Sequence, residues 1–149
     1  MLFTCYLRDG IVYVPTVARR KSEPIYTNIE PVAVVPVSST EDVRRAFLEA
    51  IGRKNVVIPD RDAEALRAPP LLPKYAGVRS LSAFYRNAST WSIIEDDGVY
   101  KILSYLKHPK GYWRPDLARE IQFPVGTTVD GVIDRMIAIL QEAAAKRDQ

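Results

Sequence analysis

Alternating apolar and polar positions at the start of the chain predict a β-hairpin. Residues 2–8 and 11–18 are rich in β-branched and aromatic side chains, and Asp9-Gly10 lies between them. Asp-Gly favours a type I′ turn because both central residues of that turn need positive φ angles. A two-residue turn pairs Leu7 with Val12. The apolar face of this hairpin then holds Phe3, Cys5, Leu7, Val12 and Val14.

The same pattern recurs later in the chain and predicts a second hairpin. Residues 91–95 and 99–105 have strand character and flank Asp96-Asp97-Gly98. A tight turn at Asp97-Gly98 places four large side chains on one face, and these are Trp91, Ile93, Tyr100 and Ile102.

Prolines limit how the other strands can pair. Pro15 cannot donate a ladder hydrogen bond, so the second strand is expected to lie at a sheet edge or to be bulged there. Residues 25–37 again have strand character, with two prolines and with residues 32–35 as the predicted buried centre. Residues 56–59 predict a further short strand.

Two longer segments have the apolar periodicity of amphipathic helices. The first follows a capping-box pattern at residues 38–41 and is expected to stop at Gly52. Its stripe consists of Val43, Ala46, Phe47, Ala50 and Ile51. The C-terminal helix is expected to start at a cap formed by Thr127 and Asp130. Its stripe consists of Val132, Ile133, Met136, Ile137, Leu140, Ala143 and Ala144.

The segment between these two helices is less regular. Residues 63–67 fit one turn of helix, which the prolines at positions 69, 70 and 73 are expected to prevent from continuing. Ser80 is a candidate N-cap for a short helix over residues 81–87. Residues 117–124 are ambiguous, with some strand character.

This order of elements predicts an α+β protein formed by a single domain, residues 1–149. Two hairpins indicate a mainly antiparallel sheet of about five to six strands, packed by the two amphipathic helices and one short helix. Strands and helices do not alternate regularly, which argues against a doubly wound fold. No repeat, low-complexity tract or linker divides the chain.

The composition is that of an ordinary globular protein, since 47% of the 149 residues are hydrophobic and 26% are charged. The N-terminal segment lacks the regions of a signal peptide, and no apolar run approaches the roughly 20 residues of a membrane span. Cys5 is the only cysteine, so an intrachain disulfide is excluded. A cytoplasmic protein without membrane contact is therefore expected. The net charge of +3 permits nucleic-acid binding without requiring it.

Few residues suit catalysis or metal binding. A nucleophile such as Cys5 needs a base, and His108, the only histidine, is distant in sequence. One His and one Cys cannot form a structural zinc site, and the acidic run 95–97 belongs to a turn where Asp is expected for backbone reasons. The sequence therefore predicts no catalytic residues, no metal site and no cofactor. A hydrolase that assembles two carboxylates from distant segments stays an open alternative.

Two basic segments are the candidate partner-binding sites. Residues 107–115 interleave cations with Tyr and Trp, a mixture that suits phosphate pairing with base stacking and also suits protein-interface hot spots. In the alternative interpretation, Tyr112 and Trp113 tuck under the sheet while the lysines stay solvated. The second segment, residues 19–21, is a basic connector. The candidate residues are Arg19, Arg20, Lys21, Lys107, Lys110, Tyr112, Trp113 and Arg114.

Three further features of the sequence resemble those of known proteins. They are the segment Ile29-Glu30-Pro31-Val32, the helix Ser80 to Phe84 before Trp91-Ser92-Ile93, and the hairpin Glu95-Asp96-Asp97-Gly98-Val99-Tyr100. In these features the chain resembles a group of small bacterial proteins, some of them similar to immunity proteins of contact-dependent growth inhibition systems. The resemblance implies a cytosolic protein that binds a cognate toxin domain, with no catalytic residues of its own. Immunity proteins against nucleases are often acidic, so the basic charge of this chain argues against a nuclease partner.

The leading hypothesis is therefore a non-enzymatic protein-binding module, an immunity protein that neutralises a cognate bacterial toxin. The alternative is a nucleic-acid-binding or accessory protein that uses loop 107–115, in which case binding should weaken steeply with salt. An enzyme of another type and a homodimer paired through sheet edges are further alternatives. The sequence does not define the oligomeric state.

Overall fold

The computed structural model describes residues 1–147, which form seven strands and five helices. The strands are β1 (Leu2–Arg8), β2 (Ile11–Arg20), β3 (Tyr26–Pro36), β4 (Val57–Ile58), β5 (Ala88–Asp96), β6 (Val99–Lys107) and β7 (Trp113–Gln122). The helices are α1 (Thr40–Gly52), α2 (Ala63–Arg67), α3 (Leu71–Ala76), α4 (Leu81–Arg86) and α5 (Val129–Arg147). Within residues 1–147, no helix has both the length and the apolar composition needed to cross a bilayer.

All seven strands belong to one sheet, in the order β3-β2-β1-β5-β6-β7, with β4 beside β2. Every pair is antiparallel except β2 with β4. The predicted α+β class with a mainly antiparallel sheet is therefore confirmed, with seven strands and three short helices.

Both predicted Asp-Gly turns are present and set the register of their hairpins. The φ angles are 50° and 76° at Asp9-Gly10, and 51° and 78° at Asp97-Gly98, the positive values that a type I′ turn needs. Leu7 lies opposite Val12, as predicted. Because the register is correct, the predicted apolar faces of both hairpins lie in the core.

The main core lies between one face of the sheet and helices α1 and α5. Helix α1 contributes Val43, Ala46, Phe47 and Ala50, and helix α5 contributes Val132, Ile133, Met136, Ile137 and Leu140. The strands contribute Phe3, Cys5, Leu7, Val12, Val14, Trp91, Ile93 and Ile102. The predicted residues Ile51, Ala143 and Ala144 are half-buried at the margin of this core. Apolar periodicity therefore identified the inward faces of both long helices.

The ends of the two long helices differ from the prediction. Gly52 still belongs to α1, and the left-handed residue beyond it is Lys54, with φ of 56°. At the start of α5, the Thr128 hydroxyl accepts a hydrogen bond at 3.2 Å from the N–H three residues on. The Thr127 hydroxyl donates instead to the carbonyl of Pro124 at 2.7 Å. The Thr127 hydroxyl is thus bonded within the preceding turn, and Thr128 caps the helix instead.

The sheet edges are β3 and β7, which decides between the two alternatives predicted at Pro15 and corrects the prediction for β3. Pro15 does mark a bulge, because the β2–β3 register shifts between Pro15 and Thr16, but β2 is an internal strand and not an edge. The predicted buried centre of β3, residues 32–35, is wrong, since Val34 is 42% exposed and its neighbours are half-buried. Strand β3 is apolar but has a partner on one side only.

The opposite face of the sheet is covered by α3 and α4 around a smaller core. Phe84 of α4 is fully buried and meets two tyrosine rings of the sheet edge-on. Its centroid lies 5.7 Å from that of Tyr6 and 5.2 Å from that of Tyr13. The fold therefore has helices on both faces of the sheet, with α4 anchored by one aromatic side chain.

The segment between α1 and β5 forms the three short helices. Helix α2 matches the predicted turn, and Asp62 caps it by accepting the Ala65 N–H at 2.7 Å. Ser80 caps α4 as predicted, accepting the Ala83 N–H at 3.1 Å. The prediction that α2 does not continue through the prolines is confirmed, because it ends at Arg67, but Pro73 is the third residue of a separate helix, α3, that was not predicted. In the first turn of a helix the missing N–H of proline has no intrahelical partner to lose.

Strands β6 and β7 also pair as a hairpin, which corrects the predicted loop 107–115. Strand β7 starts at Trp113, so the last three residues of that segment are paired. Lys107 lies opposite Trp113, and Tyr105 lies opposite Pro115. A proline is tolerated here because β7 is an edge strand with one unpaired side.

Candidate partner-binding surface

The two basic segments predicted as binding sites lie at opposite ends of the sheet. Arg19 pairs with Tyr26, where β2 ends and β3 begins. Lys107 lies at the other end, where β6 ends and β7 begins. Arg8, the last residue of β1, also lies at this end, opposite the start of β5. The structure therefore separates residues 19–21 from residues 107–114.

The connector after β2 is fixed by the segment that follows β4. The guanidinium of Arg20 donates to the carbonyl of Pro59 at 2.9 Å. The adjacent Asp60 carboxylate accepts hydrogen bonds from the hydroxyl and N–H of Ser22, which lower the pKa of that carboxyl. The other two cations of residues 19–21 are exposed. One of the three predicted cations is thus engaged in holding the connector in place.

The turn between β6 and β7 presents a stacked pair of rings. The N–H of His108 donates to the carbonyl of Tyr112 at 2.7 Å, and the N–H of Gly111 donates to the carbonyl of His108 at 2.8 Å. The two rings stack with their centroids 4.3 Å apart and an interplanar angle of 9°. Tyr112 is 53% exposed, and Lys110 and Arg114 beside it are also exposed. This turn is a surface feature and not part of the core.

Trp113 is placed differently from Tyr112. Its ring is half-buried and lies edge-on to the ring of Tyr85 in α4, at 5.7 Å and 83°. The ammonium of Lys107 lies 5.1 Å from the centre of the indole ring, within the range of a cation–π contact. Tyr112 is therefore exposed at the surface, whereas Trp113 packs partly against α4.

Three cations meet at the C-terminal end of α4, and we call Arg86, Lys107 and Arg147 the basic cluster. Lys107 donates to the carbonyl of Tyr85, and Arg147 donates to the carbonyl of Asn87. Carbonyls at a helix C-terminus lack intrahelical partners and favour cations. Partial burial lowers the pKa of Lys107, and the charges of Arg147 and Arg86 lower it further.

Arg86 lies between two open recesses. The first, of about 410 Å³, is bordered by the Asp9-Gly10 turn, by Asn87 and by Arg147. The second, of about 360 Å³, is bordered by Lys107 and the turn after β6. Two cations of the basic cluster thus line each recess: Arg86 and Arg147 line the first, and Arg86 and Lys107 line the second.

Sequence reasoning identified Lys107 but missed Arg86 and Arg147. Both arginines are the last residues of their helices, α4 and α5, a position where basic residues are ordinary. Their significance depends on topology, because the sheet brings both helix ends to the place where β6 ends. The sequence pattern alone contains no signal for that arrangement.

Cys5 and His108 lie in different parts of the fold. Cys5 is 1% exposed in the main core, opposite Trp91 of β5, and burial raises the pKa of its thiol to about 12. His108 lies in the turn after β6, stacked on Tyr112. Among residues 1–147, no group of three His, Cys, Asp or Glu side chains is placed to hold a metal ion.

No family model and no curated protein matches the sequence. Two solved structures share its fold over nearly the whole chain. A protein of unknown function from Neisseria meningitidis is 12% identical, with a TM-score of 0.66 over 95% of this chain and 93% of that one. A chain of the CdiA-CT/CdiI toxin and immunity complex from Yersinia pseudotuberculosis is 11% identical, with a TM-score of 0.62 over 93% of this chain and 95% of that one.

Proposed function

We propose that this chain is a non-enzymatic protein-binding module that acts as an immunity protein and neutralises a cognate bacterial toxin. The observation that carries the proposal is its full-length likeness in fold to a chain from a toxin and immunity complex. The likeness covers 93% of this chain and 95% of the other, so little of either chain is unmatched.

The surface at the end of β6 supports a binding role. It combines the exposed ring of Tyr112 with the exposed cations Lys110 and Arg114, next to the basic cluster. Tyrosine and arginine are the residue types that most often dominate the energy of protein interfaces. The side chains project from a hairpin and two helix ends that the sheet holds in place, so little conformational freedom would be lost on binding.

A nucleic-acid-binding role is the second candidate, favoured by the cations near the His108–Tyr112 stack that form no ion pair within residues 1–147. Single-stranded nucleic acid needs aromatic faces that are open to bases. The Trp113 ring is covered by Lys107 and Tyr85, and one face of Tyr112 is covered by His108. The surface therefore offers few platforms for stacking, which favours a protein partner.

Affinity capture from lysate of the source organism, with and without nuclease treatment, is the first step of the test. The second step is to express the captured protein, or its C-terminal domain, in Escherichia coli with and without this chain. We expect the partner alone to stop growth and co-expression to restore it.

Growth restored by co-expression, together with a stoichiometric complex that survives nuclease, would support the immunity role. Recovery of nucleic acid, or loss of every partner after nuclease treatment, would favour the second candidate. A captured partner that is harmless when expressed alone would refute the immunity role even if the two proteins bind.

A further inference from the structure

Within residues 1–147, positive charge gathers at the C-terminal end of α4 and is not neutralised by an ion pair. The carbonyls of Tyr85 and Asn87 accept hydrogen bonds from Lys107 and Arg147, and Arg86 lies between these two residues in the chain. A carbonyl oxygen satisfies a donor but carries only a partial charge. Three positively charged side chains therefore gather around residues 85–87.

Elsewhere in the fold, cations form ion pairs with carboxylates. Arg61 pairs with Glu23 at 2.8 Å, and Lys74 pairs with Glu30 at 2.5 Å. Among residues 1–147, by contrast, no carboxylate forms an ion pair with any member of the basic cluster. Asp9 borders the first recess, but its carboxylate pairs with Arg8 at 3.2 Å.

The two recesses give an acidic side chain room to approach these cations. Arg86 and Arg147 both line the first recess, and Arg86 and Lys107 both line the second, so a carboxylate entering either would meet two cations. Guanidinium groups bind carboxylates through two parallel hydrogen bonds, which are short and directional. A second hydrogen bond of Arg147, to the Ser89 hydroxyl at 3.1 Å, fixes the orientation of its guanidinium.

We infer that the basic cluster receives the carboxylates of an acidic segment on a partner protein, with one carboxylate in each recess beside Arg86. The inference rests on the proposed function, because the partner it describes is the neutralised protein. It adds that the bound face of this partner is rich in Asp or Glu. Association is then electrostatically steered and slows as salt is added.

The recesses favour carboxylates over a nucleic-acid backbone. A single strand needs a continuous basic groove flanked by stacking surfaces. Here Arg86 divides the surface into two separate concavities, and the rings beside them are already in contact with protein groups.

The test uses a blocked hexaglutamate peptide as the probe, titrated into the ¹⁵N-labelled protein at low salt and followed by NMR. We expect the largest shift changes at Asn87 and Ser89, and a dissociation constant raised about tenfold by Arg86→Gln or Arg147→Gln. Arg135→Gln is the matched control, since Arg135 is an exposed cation of α5 outside the cluster. It should change the dissociation constant less than about twofold.

Three outcomes would overturn the inference. They are no binding of the peptide to the wild-type protein, equal weakening by Arg135→Gln, and tighter binding of a hexathymidine strand that depends on the same arginines. Arg86→Lys is the control for misfolding. It keeps the positive charge, so it should bind the peptide more tightly than Arg86→Gln does.

The growth assay separates this inference from the proposed function. If wild-type protein restores growth and the Arg86→Gln/Arg147→Gln double variant restores it equally, only the inference fails. If wild-type protein does not restore growth, the proposed function fails whatever the peptide does.

Discussion

The ring of Trp113 meets the ring of Tyr85 edge-on, with centroids 5.7 Å apart and an interplanar angle of 83°. Tyr85 in turn contacts Phe84 of the same helix, and Phe84 contacts Tyr13 of β2. A continuous row of aromatic side chains thus runs from β2 to the edge strand β7. It fixes α4, and with it Arg86, against the sheet.

We expect Trp113→Ala to lower the free energy of unfolding by about 1–3 kcal/mol. Truncating a fully buried aromatic side chain to alanine lowers the free energy of unfolding by about 3–5 kcal/mol, and Trp113 is only half-buried. Tyr112→Ala is the control, because that ring is 53% exposed, and it should cost about 0.5 kcal/mol or less. Urea denaturation followed by circular dichroism measures both. Equal losses would contradict the different placement of the two rings.

The predictions that held are those that local sequence determines. Asp9-Gly10 and Asp97-Gly98 need positive φ angles, and that requirement alone sets the register of two hairpins. The apolar stripes of α1 and α5 are long enough for periodicity to identify their buried faces.

The predictions that failed depend on position within the sheet. Residues 32–35 are apolar enough for an internal strand, yet β3 lies at an edge. Helix α3 was not predicted, because Pro73 argues against a helix unless it lies in the first turn, which is where the structure places it. For the same reason the sequence indicated only Lys107 of the basic cluster. Arg86 and Arg147 are distant from Lys107 in sequence, and the strand order is what brings the three residues together.

Phe47→Ala should lower the free energy of unfolding by about 3–5 kcal/mol, since the ring is 1% exposed at the centre of the main core. Leu48→Ala is a matched control on the same helix. Leu48 is 40% exposed, and its loss should cost about 1 kcal/mol or less. If the two variants lose similar stability in urea, the inward face assigned to α1 is wrong.

Gly98→Ala should destabilise the fold by about 1–2 kcal/mol through the backbone alone. The φ angle of Gly98 is 78°, and an added Cβ would meet nothing within 4 Å, so steric clash plays no part. Gly52→Ala provides the comparison, because Gly52 lies in α1 with equally open space and no positive φ. That change should leave stability unaltered or raise it by up to about 1 kcal/mol. Thermal unfolding of the two variants checks the difference in sign.

The Cys5 thiol should be unreactive in the folded protein. Burial raises its pKa from 9.0 to about 12, so the folded chain holds almost no thiolate at pH 8, and the sulfur is also shielded from reagents. We expect a disulfide reagent such as DTNB to label Cys5 only after the chain is unfolded in guanidinium. Rapid labelling of the native protein would show that β1 opens readily or that Cys5 is not in the core.

The raised pKa of the Cys5 thiol also makes the free energy of unfolding depend on pH in the alkaline range. Below pH 9 the thiol is protonated in both states, and its contribution to stability is complete. Above pH 9 the unfolded chain releases the proton while the folded chain keeps it, so the free energy of unfolding falls as the pH rises towards 12. Cys5→Ala removes this dependence and retains that of the tyrosines, including Tyr6, whose pKa burial also raises. The fall in stability between pH 8 and pH 10 should therefore be shallower in the variant, and identical slopes would show that the thiol does not titrate differently in the two states.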